Sequence, residues 1–222
     1  MLIRDPIHLT LNYTQVTALL LLFIRHPKNI TILGLGAGSL TKFFFYFCAK
    51  TKIQTIEINR QVINIARMMF EVPQDTSRHQ VIEMDAMRFI QAKKNKLEVL
   101  ISDLFDGYGI PKQFTQKKYF QMSYDRIINR GIFIINLWGS DKKTPKYIKE
   151  LKNIFSKVIV VESDDPGNIL AFCFKKDFNF LSNKQMEYRL KLLQPKINFD
   201  LPFFYKRMLK RNKQLFESMN CL

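Results

Sequence analysis

Asp103 and Asp106 stand three residues apart in "SDLFDGYGIP", directly after the apolar run "LEVLI". Two carboxylates at the end of a strand can attract a small cation and orient an amine that must lose its proton. The bland alternative is a turn in which both accept backbone N–H bonds. The pair is conspicuous because the 222-residue chain carries a formal net charge of +16. A second group of candidate residues is the loop "GLGAG", with Gly34, Gly36 and Gly38, which follows "NITIL". Glycines there permit a tight turn and let backbone N–H groups approach a ligand at a helix N-terminus. Glu57 ends the next apolar run, about twenty residues on, where a carboxylate can accept hydrogen bonds from ribose hydroxyls. Asp85 follows the third run, placed either to contact a base or to cap the helix after it.

These residues need a scaffold that brings them together, and the pattern from residue 30 onward supplies one. The strand-like segments are "NITILGL", "KIQTIEI", "HQVIEM", "LEVLISD", "GIFIINLW", "KVIVVE" and "ILAFCFK". Helix-like segments separate most of them: "GSLTKFFFYFCA", "NRQVINIARMMF", "DAMRFIQA", "QKKYFQMSYDRIINR" and "TPKYIKELKNIF". Continuous apolar strands alternating with helices predict an α/β fold with a mainly parallel, doubly wound sheet covered on both faces. The last two strands are joined by a short loop, so one of them runs antiparallel. The fourth helix is expected to continue to Arg130 and stop at Gly131 as a C-terminal glycine. In such a sheet the ligand lies beyond the carboxyl ends of the strands, where the glycine loop, Glu57, Asp85 and Asp103 all fall.

The rest of the chain narrows the class. Cys48, Cys173 and Cys221 are few, odd in number and not in a CxxC arrangement, which points to a reduced cytoplasmic protein without a disulfide framework or thiolate metal site. His8, His26 and His79 have no metal-ligand spacing, so no metal is expected. "VTALLLLFI" (residues 16–24) is too short to span a membrane and reads as the buried face of a core helix. The positive balance invites a polyanion, but a solvated lysine-rich surface is the favoured reading over nucleic-acid binding. Three regions are expected: an N-terminal segment and helix (1–29), a Rossmann-like catalytic domain (30–177) and a basic C-terminal extension (178–222). The extension reads as a helical appendage, an oligomer contact or a nucleic-acid-facing part.

The G-x-G-x-G spacing is typical of proteins that bind S-adenosyl nucleosides, whereas a dinucleotide fingerprint places its third glycine one residue later. Taken in order, "LNYTQ", "ILGLGAGSLTKFF", "IEINRQVINIARMMF", "VIEMDAMRFI", "LISDLFDGYGIP", "GIFIINL" and "DDPGNILAF" resemble the spermidine synthase (polyamine aminopropyltransferase) family. The resemblance implies a Rossmann-like, methyltransferase-type fold and decarboxylated S-adenosylmethionine as co-substrate. It further implies a small polyamine acceptor such as putrescine, and a homodimer. By position, Glu57 resembles the ribose ligand and Asp85 the adenine contact. Asp103 resembles the catalytic aspartate that helps deprotonate the attacking amine, with Asp106 as its partner in holding the diamine. Tyr13 sits where the family has a tyrosine lining the diamine channel.

The chain departs from the family at Ala37, where members acting on the decarboxylated co-substrate have an aspartate for its ammonium tail. The chain is expected to be a short form without most of the family's N-terminal β-rich domain. "DG" follows the aspartate pair instead of "DP", and "SDDPGN" lacks the family's tyrosine before its glycine. Two further readings therefore stand beside aminopropyl transfer. One is a class I methyltransferase using ordinary S-adenosylmethionine, with RNA or another anion as substrate. The other is a non-catalytic protein that keeps the nucleoside fold. No "NPPY" or "DPPY" follows the fourth strand, which argues against a nucleic-acid methyltransferase.

Overall fold

The seven apolar runs pair edge to edge into one sheet in a computed structural model that describes residues 4–92, 95–163 and 167–219. The strands are β1 (Asn29–Leu33), β2 (Lys52–Glu57), β3 (His79–Glu83), β4 (Leu97–Ser102), β5 (Ile127–Trp138), β6 (Lys157–Glu162) and β7 (Asn168–Phe174). Their order is β3-β2-β1-β4-β5-β7-β6. The first five are parallel, and β7 inserts antiparallel between β5 and β6. Chain order reverses between β1 and β4, so a crevice opens beyond the carboxyl ends of those two strands.

Side chains alternate along each strand between two apolar layers. Ile30, Ile32, Val99, Ile101, Ile132 and Ile134 face one layer; Leu33, Leu100, Phe133 and Ile135 face the other. The first layer is covered by α1 (Asn12–Thr17), α2 (Leu20–Phe23) and α3 (Ser39–Phe47). The second is covered by α5 (Ala86–Gln91), α6 (Lys117–Arg126) and α7 (Thr144–Ile154). Helix α4 (Arg60–Met69) packs near β2 and β3, where Ile63 and Ala66 join Leu35, Val72 and Val81 in a small cluster. Among the described residues, no helix is long and apolar enough to cross a membrane. The run at 16–24 forms parts of two short helices, and its residues 16–23 are buried.

Gly131 does not end a helix. Helix α6 stops at Arg126, and the chain enters β5 at once. Leu97 pairs with Ile127 but Val99 pairs with Ile132, so Ile128, Asn129 and Arg130 swell out of register and lie exposed. A Cβ at Gly131 would lie 2.7 Å from the Glu98 carbonyl oxygen. The glycine therefore permits the strands to close again after the bulge. Its helical reading failed because a glycine after an amphipathic run has the same local signature in either role.

The C-terminal segment is built into the first layer. Helices α8 (Asn183–Leu193), α9 (Leu201–Arg211) and α10 (Lys213–Ser218) bury Met186, Leu190, Phe204, Tyr205, Met208 and Phe216 there. Ser182 and Gln185 form a capping box at the start of α8, and Asp200 caps α9 through the Phe203 N–H. Arg189 donates to the carbonyls of Leu22 and Phe23 at 2.8 and 3.0 Å, tying α8 to the end of α2. Asn212 closes the sheet edge: its side chain accepts from Val160 N–H at 3.0 Å and donates to Val160 C=O at 2.8 Å. Edge backbone groups of β6 are thereby satisfied without a further strand. Cys48 and Cys173 are free thiols, and Cys221 lies outside the described residues.

Met208 is fully buried between α9 and the sheet. Met208→Ala should destabilise the chain by about 2–5 kcal/mol, the usual range for emptying a buried methionine site. Urea unfolding followed by circular dichroism measures this. An unchanged midpoint would mean that the C-terminal helices do not share the cooperative core.

Candidate active site

The crevice is a cleft of ≈ 680 Å³, within the size range of small-molecule sites. Gly34, Gly36, Glu57, Asp85, Asp103, Asp106 and Tyr13 all line it. Gly38 does not. It precedes α3 with φ of 70°, and a Cβ there would lie 2.2 Å from a Val72 methyl, so it serves packing of the loop against the neighbouring cluster. Gly34 has φ of 95°, and its absent Cβ would lie 2.1 Å from the Asp103 carbonyl oxygen. Only glycine permits that approach of the β1 and β4 ends. Gly36 has φ of 52° and nothing within 4 Å of where a Cβ would stand, which leaves its side of the loop open.

Glu57 is already oriented. One carboxylate oxygen accepts from Leu35 N–H at 3.0 Å and the other from Asn59 N–H at 2.9 Å. Each oxygen retains acceptor capacity for a hydroxyl. Asp85 caps α5, accepting from Arg88 N–H at 2.8 Å, and it also lines the cleft. Asp106 lies exposed in a tight turn closed by its N–H to the Gly109 carbonyl at 2.8 Å. One of its oxygens accepts from Tyr108 N–H at 2.7 Å. The turn-forming role of Asp106 is thus real, and its place on the cleft wall remains.

Asp103 sits half-buried at the centre. Tyr13, reaching across from α1, brings its hydroxyl within 3.2 Å of Oδ2. Asn136 Nδ2 donates to Oδ1 at 2.9 Å, and Asn168 Nδ2 donates in turn to Asn136 Oδ1 at 3.0 Å. Neither asparagine was singled out from the sequence. The available signal was an asparagine inside each of two apolar strands, "GIFIINLW" and "NILAFCF". What hid it is that β7 runs antiparallel, so its beginning meets the same sheet edge as the end of β5.

Charge is segregated around this site. The described side chains lining the cleft include four carboxylates, Glu57, Asp85, Asp103 and Asp106, and no lysine, arginine or histidine. Among the described residues, no group of three or more histidine, cysteine or acidic side chains is placed to hold a metal ion.

Comparison with known proteins gives this geometry a context. The spermine/spermidine synthase domain family matches residues 12–158, which include Tyr13, the glycine loop, all four acids and Asn136. The chain belongs to this family. The polyamine aminopropyltransferase of Chromobacterium violaceum is 26% identical over 95% of this chain and 81% of its own length. That of Neisseria meningitidis serogroup A is 30% identical over 77% of this chain and 65% of its own. Among solved structures, a probable spermidine synthase from Corynebacterium glutamicum aligns with a TM-score of 0.71 at 19% identity, covering 86% of this chain and 74% of that one. Human methyltransferase-like protein 13, in complex with SAH, aligns at 0.70 and 21% identity over 83% and 87%. Both carry the methyltransferase-type fold, which this chain shares.

In this spermine/spermidine synthase domain, burial raises the Asp103 carboxyl above the usual carboxylate range, and hydrogen bonds from Asn136 and Tyr13 offset it in part. Burial, then the neighbouring Asp103, raises the Tyr13 phenol as well, so it remains an O–H donor at neutral pH. A carboxyl whose pKa is higher folded than unfolded favours the fold while protonated. Its contribution is complete below the unfolded value of about 3.9 and is lost as pH rises through the folded one. Asp103→Asn should therefore melt at a higher temperature than the unmodified protein at pH 7, with the gain shrinking as pH falls toward 4. Thermal denaturation across that range tests it, and a lower melting temperature at pH 7 would contradict the assignment of a costly buried charge.

Proposed function

We propose that the chain transfers the aminopropyl group of decarboxylated S-adenosylmethionine to a small diamine such as putrescine. One observation carries this reading: a chain of net charge +16 lines its cleft with four acids and, among the described residues, no basic side chain. The decarboxylated donor bears a sulfonium and an ammonium, and the acceptor is also cationic. Ordinary S-adenosylmethionine would bring an α-carboxylate among acids with no counter-charge. This compensates for Ala37: discrimination against that carboxylate rests on the field of the whole cleft instead of one loop aspartate.

The residues present suit an S-adenosyl group. The open side of Gly36 admits a ligand against the loop, Glu57 has acceptor capacity for ribose hydroxyls, and Asp85 is available to an adenine amine. When bound, the sulfonium supplies an electrophilic propyl carbon with a neutral thioether as leaving group. The chain's part is to hold the acceptor and manage its proton. An alkyl ammonium has a pKa of about 10.4, far above that of an ordinary carboxylate. Desolvation beside Asp103 raises the acid and lowers the amine, which narrows the gap. Asp106, at the outer wall, supplies a second charge to keep the diamine extended along the cleft.

A second reading, methyl transfer from S-adenosylmethionine, is favoured by Ala37 and by the likeness to methyltransferase-like protein 13. Calorimetric titration with the two nucleosides side by side separates them. Preference for the decarboxylated form is expected, together with mass-spectrometric detection of spermidine from putrescine. Asp103→Asn should lower turnover by roughly 10²–10⁴-fold, the usual contribution of a general base, with nucleoside affinity little changed. Because the carboxylate must be ionised, the rate should fall as pH drops through the raised pKa of Asp103. Equal or tighter binding of S-adenosylmethionine, with no spermidine formed, would transfer the case to methylation.

A further inference from the structure

Asn136 is buried near the end of β5, within the apolar run 131–138, where an amide is costly unless its polar atoms are bonded. Both ends are: Nδ2 donates to Asp103 Oδ1, and Oδ1 accepts from Asn168 Nδ2. The chain of bonds has one consistent direction. Turning the Asn136 amide over would set its carbonyl against a carboxylate oxygen and its NH₂ against the NH₂ of Asn168. Asp103, which can only accept while ionised, therefore fixes which way Asn136 faces, and Asn168 completes the chain on the oxygen left over. The Asn168 backbone is held as well, since its carbonyl accepts from the Ser163 N–H at 3.0 Å and hydroxyl at 3.2 Å.

The two oxygens of Asp103 are consequently unequal. Oδ1 meets an amide group that only donates. Oδ2 meets the Tyr13 hydroxyl at 3.2 Å, and a hydroxyl can rotate to accept. A proton on Oδ1 would make that oxygen a poorer acceptor for an Asn136 N–H that cannot turn to accept in exchange. A proton arriving on Oδ2 finds a partner by rotation of one hydroxyl. The other titratable side chains lining the cleft are Glu57 at the end of β2, Asp85 before α5 and Asp106 on the loop of Asp103 itself. All three are acids; burial raises the Asp103 carboxyl, and the hydrogen bond from the Asn136 amide works in the opposite direction.

We propose that Asn136, paired on its far side with Asn168, is a positioning residue for proton transfer: it keeps Asp103 Oδ1 as an acceptor and leaves Oδ2 as the oxygen that receives the acceptor's proton. This rests on the reading of Asp103 as the proton acceptor in aminopropyl transfer. In that step an ammonium N–H bond breaks, its electron pair stays on nitrogen, and an O–H bond forms at Oδ2 with loss of the carboxylate charge. Asn136 and Asn168 exchange no proton themselves.

The test follows Asp103 directly, by carbon-13 NMR of the carboxyl carbons in aspartate-labelled protein, its signal assigned by its loss in Asp103→Asn. Asn136→Leu removes the donor and should raise the Asp103 titration midpoint by about one unit, a tenfold change in proton affinity. Asn168→Ala should raise it by less, and the double variant should match Asn136→Leu instead of summing the two. Asn136→Ser, which retains a hydroxyl donor, should recover part of the shift. If Asn136→Leu does not fold, Asn168→Ala and Asn136→Ser carry the comparison. In the transfer assay the acidic limb of kcat/KM should move up with the midpoint, with kcat lowered about tenfold and the acceptor KM little changed. A midpoint unmoved in a folded variant overturns the positioning role, whatever reaction the protein catalyses. A moved midpoint in a protein that makes no spermidine supports the asparagine pair and removes only the reaction on which it was built.

Discussion

The contact on which the site depends is a backbone contact between β1 and β4. Gly34 lies so close to Asp103 that a Cβ would stand 2.1 Å from the Asp103 carbonyl oxygen. Around it, Asp103 N–H donates to the Leu33 carbonyl at 2.9 Å, Gly34 N–H to Ile56 at 2.8 Å, and Met84 N–H to Glu57 at 2.9 Å. Those bonds extend the ladder one step past the last paired residues of β1, β3 and β4. The consequence is functional: the loop, Glu57, Asp85 and Asp103 leave the sheet side by side at the point where strand order reverses. A side chain at position 34 would separate the strand that carries the loop from the strand that carries the acid.

A +16 chain and an acidic cleft coexist because charge acts over limited distances in water. At physiological ionic strength the screening length is about 8 Å, so exposed lysines on the far side of helices contribute little inside the crevice. A small cation within it meets mainly the four carboxylates. The basic surface repels that cation at long range, yet the short-range field decides where it rests. Asp103 illustrates the cost of such an arrangement, since burying its charge opposes folding at neutral pH. The remainder of the core must hold that charge in place, and it is large: two apolar layers on either side of seven strands.

The asparagines show how the topology serves the acid. Inserting β7 antiparallel between β5 and β6 brings Asn168, the first residue of its strand, beside Asn136 near the end of β5. A parallel β7 would have carried its first residue to the opposite edge of the sheet. The C-terminal helices support the same region indirectly, covering the layer that contains Phe172 and Phe174 and, through Asn212, closing the edge of β6.

Much of this was legible in the residue order. Continuous apolar strand runs and intervening helical runs determine the doubly wound sheet, because burial on both faces leaves few alternatives for such strands. The glycine spacing and the acid after each of the second, third and fourth strands determine the cleft and most of its lining, since those residues sit at strand ends by construction. Chain order alone left the rest open. Gly38 reads like its neighbours in the loop, and only Val72, thirty-odd residues away, turns it into a packing glycine. Gly131 reads as a helix end, and only the register with β4 makes it the close of a bulge. The C-terminal run reads equally as an appendage, an oligomer contact or a nucleic-acid-facing part, because its apolar face has no partner until the sheet is assembled. Asn136 and Asn168 are ordinary strand residues until an antiparallel pairing lines them up on Asp103. In each case the deciding neighbour is distant in sequence, and only tertiary packing brings it within reach.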